Sequence, residues 1–132
     1  MDLSTLIPST DTITFTVKHP ITSEPLLKDD GKEMTVTLYS PYSKEFKAVM
    51  HEQANKRISK AQKSKKIVLT AEEIEEGSLE LLAKTTKTFD LQLDKKPVPF
   101  SVAKAMEIYS KIPWLKEQAI EAQEDYTSFL KS

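Results

Sequence analysis

"MTVTLYSPYSKEFKAVMHEQANKRI", Met34 to Ile58, changes its period halfway. Met34, Val36 and Leu38 alternate with threonines and a tyrosine, which is the period of a half-buried strand. From Phe46 onward the apolar residues recur at steps of 3 and 4: Phe46, Val49, Met50, Ala54, Ile58, then Ala61. That is one stripe of a helix. Ser40 is the expected N-cap, with Pro41 at the first helical position, where its missing N–H costs nothing. A strand feeding a helix through a capped turn makes this an α+β chain.

Upstream, "TITFTVK" alternates strictly, with Ile13, Phe15 and Val17 on one side. It is expected to pair antiparallel with the Met34–Tyr39 strand. The intervening "HPITSEPLLKDDGKE" is too long for a tight hairpin, so an irregular excursion is expected, with a turn at Asp30-Gly31. A two-stranded ribbon alone is marginal. Helices must cover its apolar face, or another strand must join it.

Downstream, "LTAEEIEEGSLELLAKTTKTF" reads as a second helix. Thr70 and Glu73 form a capping box, and Leu69 and Ile74 hold the two positions of a hydrophobic staple. Gly77 lies inside that helix and suggests close packing. Phe89, Leu91 and Leu93 alternate, allowing a short extended segment. Pro97 and Pro99 exclude a helix there. Ser101 caps a third helix with Val102, Ala105, Met106, Tyr109 and Ile112 on one face. Pro113 stops it, because the residue before a proline is pushed out of the helical region, and then opens a fourth. Leu115, Gln118, Ala119, Ala122, Tyr126, Phe129 and Leu130 follow at helical steps. Trp114, the single tryptophan, sits at this corner. It reads as an apolar plug between helices, with direct contact to a partner as the alternative. The fold expected is α+β: an N-terminal antiparallel hairpin or small sheet packed on a bundle of about four helices, in one domain over residues 1–132, with residues 1–11 as an arm.

Composition narrows the function classes. The chain of 132 residues has no cysteine, so thiol chemistry and disulfides are excluded. Two glycines exclude a glycine-rich phosphate loop. The net charge of −1 argues against a nucleic-acid binder. The run Lys56, Arg57, Lys60, Lys63, Lys65, Lys66 is the best candidate for one. It has no interleaved aromatics and reads as a solvated helix end facing the acids that follow. No apolar stretch approaches a membrane span, and the first residues carry no secretory h-region. His51 in "HEQAN" lacks a second histidine four residues on, and His19 stands in a loop, so no metal site or cofactor is expected. The carboxylates of "EEIEE" are explained by a capped helix start. No catalytic residue is assigned, and the chain reads as a binding protein rather than an enzyme.

Several segments together resemble one family. The Ser43-Lys44 pair after a strand, the Thr70–Glu73 box, Pro99-Phe100-Ser101 and Pro113-Trp114 fall in the order and spacing of the small tail assembly chaperones of long-tailed bacteriophages and prophages. The resemblance covers residues 12–132. The chain departs from it in "TTKTFDLQLDKK", where the family pattern has a tryptophan or similar aromatic near Phe89. The resemblance implies a chaperone that binds the tape measure protein, keeps it soluble and promotes tail tube assembly in the bacterial host cytoplasm, absent from the finished virion. It also implies that a −1 frameshifted, longer form engages the tail tube protein. Phe129-Leu130-Lys131 can be encoded TTT-TTA-AAA, which contains a slippery heptamer. A groove for amphipathic helices needs adaptable and aromatic lining. Met50, Met106, Tyr109, Trp114, Tyr126 and Phe129 are the candidates, the alternative being that all six pack internally. Copies of the chain are candidates for a homo-oligomer, while neither nucleic acid nor membrane is an expected partner. The competing function is a structural tail or head–tail joining protein retained in the particle.

Overall fold

The computed structural model describes residues 2–6, 11–64 and 70–125. After a 3-10 turn at Leu3–Leu6, the elements run β1 (Thr12–Thr16), β2 (Thr35–Tyr39), α1 (Lys44–Ser64), α2 (Ala71–Lys84), β3 (Thr86–Asp90), β4 (Gln92–Leu93), β5 (Lys96–Pro97), α3 (Val102–Lys111) and α4 (Pro113–Glu124). The α+β class expected from the sequence is the fold observed.

The sheet has three antiparallel strands in the order β1-β2-β3. β1 pairs with β2 in the expected register, Phe15 opposite Val36 and Ile13 opposite Leu38. Their inward side chains build the core, with Val17, Val36 and Leu38 essentially inaccessible. The excursion between them folds back on itself through bridges at Lys18–Pro25 and Leu27–Glu33. Gly31, at φ +85°, makes the turn expected at Asp30-Gly31. Lys28 anchors the excursion to β3 through both Asp90 oxygens, at 3.0 and 2.8 Å.

β3 corrects the second-helix boundary. The helix was expected to run through Phe89, yet it ends at Lys84 and the chain then joins the sheet. Thr85 and Thr86 turn their hydroxyls back onto the carbonyls of Leu81 (2.7 Å) and Leu82 (2.8 Å), which caps the last turn. The register slips between Thr37 and Leu38, and Leu38 faces Thr86 across the irregularity.

The first helix begins later than expected. Ser40 is buried and shapes a turn, its Oγ accepting the Tyr42 N–H at 3.0 Å. The cap is Ser43, whose Oγ accepts the Phe46 N–H at 3.2 Å and donates to the Ser40 carbonyl at 2.6 Å. Pro41 therefore sits in the turn. The other caps stand where expected. Thr70 Oγ1 accepts the Glu73 N–H (3.1 Å) and Ser101 Oγ that of Lys104 (3.0 Å). Leu69 of the staple lies outside the described residues, and Ile74 is exposed.

Helix α3 packs against both α2 and α4, α2 and α4 contact the strands, and α1 lies against α2. The core joins Leu82 and Ala83 of α2, Ala105, Ile108 and Tyr109 of α3, and Leu115 and Ala119 of α4 to the strands. α1 contributes none of its expected stripe to that core. Met50 is 47% and Ile58 57% exposed. Its seam with α2 is polar instead. Lys84 meets Glu52 at 2.7 Å, Lys56 meets Glu80 at 3.6 Å, Lys60 meets Glu73 at 3.2 Å, and Gln53 Nε2 donates to the Gly77 carbonyl at 2.8 Å. The basic helix end thus does face the acids of α2. Lys65 and Lys66 lie outside the described residues.

Candidate functional site

The α3–α4 corner positions the most distinctive surface of the molecule. Ile112 adopts φ −123°, ψ 76°, outside the helical region, because Pro113 follows it. Its N–H still closes α3 on the Ile108 carbonyl (2.9 Å), and its own carbonyl accepts Leu115 N–H (3.0 Å) to start α4. Pro113 is the first residue of α4, as expected. The corner therefore has no slack, and Trp114 is held in place beside it.

Opposite the corner stands the β4–β5 hairpin. Asp94 (φ 53°) and Lys95 (φ 64°) form its two-residue loop. Two consecutive left-handed residues are the signature of the turn whose twist matches a hairpin. Val98 N–H donates to the Leu91 carbonyl at 3.0 Å, closing the hairpin base. A T-shaped contact between Phe89 and Phe100, centroids 5.0 Å apart, supports it from behind.

Between corner, hairpin and excursion lies an apolar cleft of about 160 Å³. Trp114, Ile112, Leu26, Met34, Leu93 and Val98 surround its half-buried walls, and buried Val17, Leu91, Ile108 and Leu115 form its floor. A space of this order, ~150 Å³ with apolar walls, holds one benzene-sized group. It accommodates a single apolar side chain, not the width of a helix. Trp114 packs partly on the core and partly borders this opening.

The other candidates are distributed differently. Met106 is half-buried on α3, packed against the core. Tyr109 is 2% exposed and offers a partner almost no surface. Its hydroxyl lies 2.9 Å from Thr86 Oγ1. Thr86 already donates to the Leu82 carbonyl, so Tyr109 is the donor. Burial pushes its pKa up to about 12. Met50 is exposed on α1 and does not line the cleft. Tyr126 and Phe129, with the slippery-codon segment, lie outside the described residues. Of the cleft's residues, Leu91 and Leu93 alternate in "FDLQLDKKPV", but nothing in the sequence brings Trp114, Leu26 and Met34 beside them.

Polar chemistry is sparse by comparison. His19 Nδ1 accepts the N–H groups of Ile21 (3.1 Å) and Thr22 (3.3 Å), organising a turn. Among the described residues no group of three or more His, Asp or Glu side chains is arranged to hold a metal ion. No described helix is long and apolar enough to cross a membrane. Gln123, buried on α4, donates to the Tyr39 carbonyl (3.0 Å) and to Thr85 Oγ1 (2.9 Å), pinning α4 to the middle strand. Comparison with family models, curated proteins and solved structures found no match.

Proposed function

We propose that this chain is a non-enzymatic tail assembly chaperone. It binds the tape measure protein of a long-tailed phage in the bacterial host cytoplasm, keeps it soluble, and leaves before the virion is complete. A longer, frameshifted form brings in the tail tube protein. The observation that supports this reading is the open apolar cleft beside Trp114, sized for one side chain. A long amphipathic helix presents apolar residues at i, i+3, i+4 and i+7. A chaperone that must release such a chain is served by shallow single-residue anchors repeated over many copies, not by one deep groove. Met34 on the wall adapts to different apolar knobs.

Co-expression with the tape measure protein tests this. Trp114→Ala removes the wall, and Leu26→Lys places a charge at it. With folding verified by circular dichroism, either substitution is expected to lower the soluble, co-purifying tape measure protein severalfold. Undiminished recovery with both folded variants would remove the cleft from the mechanism. Mass spectrometry of purified virions addresses the competing function, since stoichiometric copies in the particle would establish a structural tail protein instead.

A further inference from the structure

The outer edge of β1 carries a second surface, independent of the cleft. Val17 N–H donates to the Met34 carbonyl (2.9 Å) and Ser40 N–H to the Asp11 carbonyl (2.7 Å), at either end of the β1–β2 ladder. Backbone groups alternate sides along a strand. Odd-numbered residues of β1 therefore face β2, and Thr12, Thr14 and Thr16 turn their N–H and C=O groups away from it. Among the described residues β1 is an edge strand. The next outward residue, Lys18, is already covered: Gln118 of α4 accepts its N–H (3.0 Å) and donates to its carbonyl (2.8 Å). The side-chain amide stands in for a neighbouring strand at that one residue and ends the open edge there.

The open stretch, Thr12-Ile13-Thr14-Phe15-Thr16, has a near-palindromic pattern and carries no charge. Natural edges usually deter pairing with a lysine, a proline or a bulge, and this one has none of them. Turned through a two-fold axis at Thr14, threonine meets threonine and Ile13 meets Phe15. Both apolar residues are only half-buried in the single chain. Among the described residues, a hollow of about 770 Å³ lies between this edge and α4, bordered by Phe15, Thr16 and Gln118 and, on the α4 side, by Glu121 and Asp125.

We propose that β1 pairs antiparallel with β1 of a second copy of this chain about a two-fold axis at Thr14. Thr14 then exchanges both backbone hydrogen bonds with the partner's Thr14, and the two sheets become one continuous sheet. Such an isologous contact is self-complementary, as two-fold symmetry requires. The paired area is small, so the dimer is reversible and depends on concentration.

Sedimentation equilibrium of the full chain is expected to give a monomer–dimer equilibrium. Thr14→Pro deletes an outward N–H without touching the β2 ladder, and is expected to yield a folded monomer. Because the chain has no cysteine, Thr14→Cys supplies a single thiol. Directly opposed hydrogen-bonded residues lie ~5.5 Å apart at Cα, within disulfide range. Mild oxidation is expected to cross-link this variant into a covalent dimer, and to leave Thr88→Cys, on the opposite edge strand, uncross-linked. If Thr14→Pro fails to fold, the cross-linking result decides. A wild-type chain that stays monomeric at all concentrations overturns the proposal, whether an extended peptide or another part of the chain covers the edge instead. So does a dimer that persists in folded Thr14→Pro, and so does a failure of Thr14→Cys to cross-link.

Discussion

Tyr109 shows how one buried hydroxyl links packing to pH. Its ring is among the largest fully buried side chains, and its O–H completes the hydrogen bonding of Thr86. Tyr109→Phe keeps the ring and leaves the Thr86 oxygen short of a donor. A loss of ~1–2 kcal/mol is expected from denaturant titration at neutral pH. The raised pKa gives a second readout. In the unfolded chain the phenol ionises near 10, and in the folded chain at about 12. Between these values the unfolded state has lost a proton that the folded state keeps, so stability falls as pH rises. The fall amounts to ~2–3 kcal/mol across that window. Comparing wild type with Tyr109→Phe cancels the lysine titrations, and the steeper alkaline loss is expected only in the wild type. Lys95 is a second residue with a local conflict. It holds φ 64° in a turn that favours glycine at that position. Lys95→Gly is expected to raise stability by about 0.5–1 kcal/mol, read as a higher melting temperature, through relief of the left-handed strain.

At the scale of elements, α2 tests the sequence reading most sharply. Gly77 suggested close packing, yet a Cβ there would meet only Arg57 Nη2, at an ordinary 3.6 Å. The helix bears the glycine penalty without using the space. Gly77→Ala is expected to stabilise the protein by ~0.8–1 kcal/mol, measurable by chemical denaturation. An unchanged or lowered midpoint would mean that the Gln53 contact to the Gly77 carbonyl depends on the glycine. Strands β1 and β2, the Thr70 and Ser101 caps and the Pro113 break were legible because each depends on neighbours in sequence. β3 was not legible as a strand. Thr85-Thr86-Lys87-Thr88 is β-branched enough to suggest one, but β2's need for a second neighbour is satisfied from roughly fifty residues away, by a partner that periodicity cannot name. The stripe of α1 misled for the opposite reason. Helical spacing shows which residues share a face, not whether that face finds a core. The cleft was legible only as separate apolar walls, since the excursion, the hairpin and the corner meet only in three dimensions.

The whole molecule divides into a cohesive body and one loosely held helix. The sheet with α2, α3 and α4 shares a continuous apolar core, and buried Gln123 ties α4 to β2. α1 is attached through a polar seam. Lys84 has its pKa raised by hydrogen bonds to Glu52 and then Glu80, and both glutamates are held below their ordinary value, chiefly by that lysine. Groups this exposed are screened by salt, and such pairs contribute little individually. Local opening costs least where few apolar contacts close an element. Amides in the middle of α1 are therefore expected to exchange with solvent well before those of α3, by a local opening that leaves the core intact. High salt should widen the gap. Acid should widen it too: a glutamate with a lowered pKa stabilises the folded seam above its ordinary value of 4.5, and that contribution disappears as pH falls through the folded pKa. Hydrogen exchange followed by mass spectrometry, with and without salt, measures this directly. Equal protection of α1 and α3 under all conditions would mean that the half-buried Phe46, Val49 and Ala61 bind α1 to the body as strongly as the core binds α3. Faster, salt-sensitive exchange in α1 alone would make α1 the element that yields first, while the sheet edge and the Trp114 cleft stay formed.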